Sequence, residues 1–279
     1  MNGFEAQFGA AARCLLNNGF GETPVGIILG TGMSEAADII DVRERISFID
    51  LPGLPASSVA FQSPSFISGM VGRTPVVCAD GRFHFYEGHT MREVVSIVYL
   101  MHRLGVKRLF VNSAVGGINK SYVQGDLVMV SDHINLSTLN PLIGLRGADG
   151  RMLFPNMIDA YDADMSSLFK KVSAANAITV KEGVLAYLPG PAFETRSELR
   201  MLAALKADLV GWSMVPEVLF ARALGIAVCG ICCVSDVSDP DVVIEADIDD
   251  IVKVCKKAAP DYAALLNDSI RTMSPAGKP

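Results

Sequence analysis

What most limits the folds open to this chain is a recurring pattern: short, unbroken apolar runs, each closed by turn residues and followed by a helix-like stretch. VGIIL (25–29), PVVCAD (75–80), RLFVNSA (108–114), DLVMVS (126–131), GVLAYL (183–188), LVGWS (209–213) and IAVCGICCV (226–234) read as strands. Such continuous Val/Ile/Leu runs suit a sheet covered on both faces. Between them Thr90-x-x-Glu93 and Thr195-x-x-Glu198 are capping boxes, the first opening MREVVSIVYLMHRL and stopped by Gly105. Pro216 opens PEVLFARAL, a helix is expected from the Gly30-Thr31-Gly32 turn through Ile40, and a last helix from about Ile248 to Ile270. Alternating strands and helices of this kind imply an α/β sheet flanked by helices on both faces.

Composition narrows the function. Half of the 279 residues are hydrophobic and the net charge is −6. The apolar share is ample for a large core, and the acidic balance argues against a nucleic-acid partner. No stretch is apolar and long enough to span a membrane, and the first residues lack a signal-peptide pattern, so a cytoplasmic protein is expected. Cys229 and Cys232 have C-x-x-C spacing, yet in a strand they point to opposite faces, which favours buried free thiols over a metal or redox pair.

Ligands of open α/β sheets sit beyond the strand ends, so the residues there carry the functional reading. After the first strand, Gly30-Thr31-Gly32 is either an anion-holding loop or an ordinary tight turn. GRFHFYEGH (81–89) packs five polar side chains into nine residues, and alternation along an extended segment would place Arg82, His84 and Tyr86 on one face. The paired glycines in VGGIN (115–119) mark either a close approach to a ligand or a loop needing positive φ. Phe193 and Glu194 put an aromatic ring beside a carboxylate in a strand-to-helix loop, as a flat heterocycle with N–H groups would need. Asp236 ends an apolar strand, where an unpaired carboxylate is costly and its pKa open to perturbation. His102 and His133 are expected to be structural, and His89 receives no role.

Taken in order, ILGTG (28–32), GRFHFYEGH, NSAVGGIN (112–119), GDLVMVSDHIN (125–135), PGPAFET (189–195), GWSMVPEV (211–218) and the end of IAVCGICCVSD resemble the trimeric purine nucleoside phosphorylase family, which also contains methylthioadenosine phosphorylases. The resemblance implies one domain spanning 1–279, with 1–20 and 272–279 as peripheral tails, built on a mixed twisted sheet and assembled as a homotrimer. It implies reversible phosphorolysis of a purine (2′-deoxy)nucleoside by inorganic phosphate, a co-substrate, with no metal and no organic cofactor. Carried over by position, Thr31, Gln62, Arg82, His84, the backbone at Ala114, and Ser213 would hold phosphate. Tyr86, Trp212 and Ile248 would line the ribose. Ala114, Phe193, Glu194 and Asp236 would hold the purine, with Asp236, Glu194 and His84 closest to the chemistry.

Four positions depart from the pattern of 6-oxopurine enzymes. Asp236 stands in place of Asn. An ionised carboxylate can accept from a 6-amino group, and with its pKa raised by burial and Glu194 it could donate to N7. Trp212 replaces Met, Ile248 stands where a His is usual, and so does Gln62. An apolar Ile248 would suit a 5′-methylthio group, whereas Phe193-Glu194 keeps the nucleoside phosphorylase pattern. Two further classes stay open: a nucleoside-binding protein without turnover, and a dinucleotide-dependent oxidoreductase. The second rests on ILGTG alone and lacks the third glycine of its fingerprint.

Overall fold

The computed structural model describes residues 1–55, 64–147, 149–242 and 247–273. The chain runs through α1 (Asn2–Asn17), β1 (Val25–Leu29), β2 (Asp41–Ser47), β3 (Ser65–Val71), β4 (Thr74–Asp80), α2 (Met91–Val94) and α3 (Ser96–Arg103). It continues with β5 (Arg108–Gly117), β6 (Leu127–Asn135), α4 (Ala163–Ala175), β7 (Val180–Tyr187), α5 (Arg196–Ala204), β8 (Leu209–Gly211), α6 (Val215–Ala223), β9 (Ala227–Val237) and α7 (Ile248–Thr272). The nine strands among the described residues form one mixed sheet in the order β2-β3-β4-β1-β5-β8-β7-β6-β9. An additional β5–β9 pairing closes the last five strands into a ring, and the first four extend from it as an arm. This is the mixed α/β architecture expected, with a closure that linear patterning does not reveal.

All seven sequence-derived strands are present, and both capping boxes form: the Thr90 and Thr195 side chains accept from Glu93 N and Glu198 N, and the glutamates return the bond. The helix expected after Thr90 breaks at Val95 into α2 and α3. The stretch after Gly32 is a short 3-10 helix, Ser34–Ile39, rather than an α-helix. Two strands have no counterpart in the apolar runs: β2, DVRERIS, an exposed strand of charged residues on the edge of the arm, and β3, SFISGMV, which is buried.

Residues 1–20 correct an expectation. They are no peripheral tail: α1 buries Phe4, Phe8, Ala11, Ala12 and Leu15, and the Phe4 ring stacks on Phe220 at 4.8 Å between centroids. Tyr99 Oη donates to Glu5 Oε2 at 2.6 Å, tying α1 to α3. Of the other expected tail, residues 274–279 lie outside the described residues. β9 is buried on both faces, with Cys229 and Cys233 in the cluster under α7 and Cys232 in the opposite one, all as free thiols. If α1 belongs to the core, Phe8→Ala should cost about 3–5 kcal/mol in denaturant unfolding. A loss within about 0.5 kcal/mol, as at an exposed site, would return it to the periphery.

Candidate active site

Parallel pairing of β5 with both β1 and β9 aligns the ends of three strands, and the residues beyond those ends line one cavity of about 920 Å³. Its lining includes Thr31, Arg82, His84, Tyr86, Ala114, Phe193, Glu194, Trp212, Ser213, Asp236 and Ile248. All the candidate site residues therefore converge except Gln62, which lies outside the described residues.

Two local expectations are corrected. GRFHFYEGH is not an extended strand: it leaves β4 and winds into a 3-10 turn, Phe85–Glu87, closed by Gly88 at φ 92°. Arg82, His84 and Tyr86 still face the cavity, while Phe83 is buried in the core. Gly116 and Gly117 are not a positive-φ loop but the end of β5, where a bulge falls between Val115 and Gly116 against β9. Gly116 lines the cavity, and a Cβ there would lie 3.2 Å from Val210 Cγ1 and 3.4 Å from Asp236 Oδ2. The Gly30-Thr31-Gly32 turn has its positive φ, 75°, at Gly32 and lines the cavity as well.

At one end the polar groups suit an anion. Arg82 is buried, with Nη1 3.0 Å from Glu217 Oε2 and Nη2 donating to the Asn112 carbonyl. Glu217 also accepts from Met214 N at 3.1 Å, anchoring the start of α6. Each Nη bears a second N–H and Nε has no partner, so donors remain on the guanidinium. The His84 Nδ1 lies 2.7 Å from Glu87 Oε1; a carboxylate only accepts, so Nδ1 is the donor and Nε2 stays available. Ser213 Oγ and Ser113 Oγ are 2.7 Å apart, and both line the cavity. Tyr86 stacks on His84 at 4.7 Å, and burial, followed by the neighbouring Glu87 charge, pushes its phenol up to about 12.

The other end is an aromatic and carboxylate cleft. Phe193 and Trp212 rings lie 4.9 Å apart, and Trp212 meets Tyr86 edge-on at 5.7 Å. Asp236 Oδ1 accepts from Ser235 at 2.8 Å and Oδ2 from Ser238 at 3.2 Å. Glu194 is raised above the ordinary carboxylate value: burial is the main cause, and the Asp236 and Glu198 charges add to it. α7 lines this side with Ile248, Ile251 and Val252 and with the charged Asp249, Lys253 and Lys256.

Sequence reasoning missed Ser113, Ser238 and Glu217. NSA at the end of an apolar strand was a signal for Ser113; nothing local marks Glu217, whose meaning comes from Arg82 across 135 positions. The remaining histidines are placed apart from the cavity lining: His89 Nε2 lies 3.6 Å from Glu87, His133 Nδ1 3.2 Å from the Tyr161 hydroxyl, and His102 sits in α3. Among the described residues no group of three or more His, Cys, Asp or Glu could hold a metal ion, and no helix is long and apolar enough to cross a membrane.

One cavity with Arg82, His84 and Ser213 at one end and Phe193, Glu194 and Asp236 at the other, on this closed mixed sheet, has the layout expected of a nucleoside-phosphorylase pocket. Consistent with it, the phosphorylase superfamily profile matches residues 24–271, and the chain belongs to that superfamily. Within it the relatives are purine nucleoside phosphorylases. "Purine nucleoside phosphorylase 1" of Bacillus subtilis is 36% identical over 256 residues, covering 91% of this chain and 94% of the relative. The Bos taurus "Purine nucleoside phosphorylase" is 33% identical over 271 residues, covering 93% of each. The Schistosoma mansoni purine nucleoside phosphorylase solved with adenosine superposes with a TM-score of 0.89 at 30% identity, over 95% of this chain and 96% of that one. Its inosine complex also gives 0.89, over 97% and 98%. A dinucleotide-dependent oxidoreductase is thereby set aside.

The Arg82–Glu217 pair makes a stability prediction. Glu217→Ala leaves a guanidinium buried without its counter-charge and should cost about 3–5 kcal/mol in equilibrium unfolding. A cost below about 1 kcal/mol would mean that the pair is dispensable.

Proposed function

We propose that this protein carries out reversible phosphorolysis of purine (2′-deoxy)ribonucleosides, giving free base and (deoxy)ribose 1-phosphate, and that it accepts 6-amino as well as 6-oxo purines. The supporting observation is the convergence of Thr31, Arg82, His84 and Ser213 with Glu194 and Asp236 around one cavity.

In this reading phosphate is held by the Thr31 turn, the Arg82 and His84 side chains, the Ala114 backbone and Ser213. Gln62 is assigned to the same end by resemblance. Tyr86, Trp212 and Ile248 border the sugar. The purine lies against Ala114 and Phe193, Glu194 accepts from its ring N–H, and Asp236 faces N7 and the 6-substituent. The C1′–N9 electron pair leaves with the base as a phosphate oxygen bonds to C1′. Fixed geometry supplies much of the acceleration, by holding both reactants in line within one site. If it carries a proton, Asp236 can donate it to N7, general acid catalysis worth about 10²–10⁴ in rate. As a carboxylate the same group accepts from a 6-amino group, where an Asn would serve a 6-oxygen as donor.

Support for breadth toward 6-amino bases comes from the acceptor chemistry of Asp236 and from the Schistosoma mansoni relative, solved with adenosine and with inosine. A second reading, 5′-methylthioadenosine phosphorolysis, is favoured by Ile248, whose apolar side chain lines the cavity. No metal or organic cofactor enters either scheme. A homotrimer is part of the proposal, supported by the exposed Ile143, Phe154 and Ile158, each above 70% accessible within one stretch of chain. Cytoplasmic residence is supported by six free cysteines.

The test mixes the protein with phosphate and each of inosine, guanosine, adenosine and 5′-methylthioadenosine, and follows free base by chromatography. Phosphate-dependent release is expected; tight nucleoside binding without release would turn the reading to a non-catalytic binder. Asp236→Asn should raise the kcat/KM of inosine relative to adenosine by about tenfold or more, the scale of one hydrogen bond to a buried polar group. An unmoved ratio would contradict the role given to Asp236.

A further inference from the structure

Trp212 stands where family resemblance expects Met, and its contacts go beyond a larger wall. The indole Nε1 donates to Glu194 Oε1 at 3.3 Å. Three neighbours hold the ring in place. Phe193 packs on it at 4.9 Å and Tyr86 meets it at a steep 76°. On the third side lies Gly190 at φ 65°, where a Cβ would sit 2.8 Å from Trp212 Cδ2. The loop before α5 thus leaves out a side chain at the point where the indole lies against it, and the following Phe193-Glu194 fold over the same ring. A methionine in place of Trp212 would offer no N–H to the carboxylate.

We propose that Trp212 is a positioning residue that fixes the Glu194 carboxylate as a hydrogen-bond acceptor for the purine. The proposal rests on the base-binding role given to Glu194 above. A half-buried carboxylate on a loop has several rotamers and is drawn toward its neutral form. The indole bond removes one oxygen from that freedom, leaving Oε2 and the second lone pair of Oε1 for the ring N–H of the base. It also opposes the pressure that burial, Asp236 of β9 and Glu198 of α5 put on Glu194, since a bond donated to the charged form favours that form. A smaller or non-donating residue at 212 could still support the sugar while leaving Glu194 free to turn away or take up a proton.

The experiment compares the full-length wild type with Trp212→Phe, which keeps an aromatic ring and deletes the N–H, and Trp212→Met, which deletes both. For each, kcat/KM for inosine is measured across pH, and hypoxanthine binding is measured by calorimetry at the same pH values. Protonation of Glu194 is expected to contribute to the acid limb of kcat/KM, and the ionisation of phosphate contributes equally in all three proteins, so the shift between them is the readout. In both variants that limb should move to higher pH, with about tenfold lost on its acid side and a smaller loss at alkaline pH. Hypoxanthine affinity should weaken with the same pH dependence. Combining Trp212→Phe with Glu194→Gln should add little beyond Glu194→Gln alone, since the two act through one group. Equal losses at all pH values, or a limb that stays put in both variants, would overturn the proposal and leave Trp212 as a wall. The calorimetric arm separates this outcome from failure of the functional reading. A protein that binds hypoxanthine but turns over no nucleoside still reveals whether the indole controls Glu194.

Discussion

Everything at the site depends on β5 pairing in parallel with β1 on one side and β9 on the other. That arrangement places three C-terminal strand ends side by side, and with them Thr31, Ala114 and Asp236, although these residues come from opposite ends of the chain. The bulge between Val115 and Gly116 keeps the pairing in step beyond that point and lets β5 run on past Asp236. The antiparallel β8 contact at Gly116–Gly117 then brings Trp212 and Ser213 to the same place. Closure of the ring is thus what converts a set of strand ends into a cavity, and α7 covers it.

The electrostatics of the cavity are arranged locally, within a chain whose formal charge is −6. At the Thr31 and His84 end the buried Arg82 is paired with Glu217 and oriented by the Asn112 carbonyl. A guanidinium fixed on two sides presents its remaining N–H groups without having to reorganise when an anion arrives, which is the form in which electrostatic stabilisation is most effective. The cost of burying its charge is offset within the pair and its hydrogen bonds. At the base end the polarity is opposite. Two carboxyl groups share a cleft, and their environments differ: Glu194 accepts an indole N–H and is raised by burial, while Asp236 accepts two hydroxyls. A cleft of acceptors is suited to a heterocycle rich in N–H groups, and an end of donors to an oxyanion.

The strand-and-turn rhythm makes most of this legible in the sequence. Seven apolar runs mark seven of the nine strands among the described residues; Thr31, Arg82, Ser235 and Asp236 follow such runs within two residues, whereas Asp249, Lys253 and Lys256 reach the cavity from α7. The failures have identifiable physical causes. β2 carries charges because it is an arm's edge, so apolar periodicity passes over it. α1 lacks a side-chain cap, and its apolar residues reveal their purpose only against Tyr99 and Phe220. GRFHFYEGH gave the right residues through the wrong geometry, since a 3-10 turn and not strand alternation presents them. Glu217 and the Trp212–Glu194 bond are tertiary facts: each joins positions whose relation exists only after the ring has closed.

The most direct test of the central claim is a crystal structure of the protein grown with sulfate and adenine. One shared cavity should be occupied at both ends, with sulfate within hydrogen-bonding distance of Thr31, Arg82 and Ser213 and the base between Phe193, Glu194 and Asp236. Sulfate and adenine bound at separate surfaces, or a base that leaves Glu194 and Asp236 without contact, would contradict it.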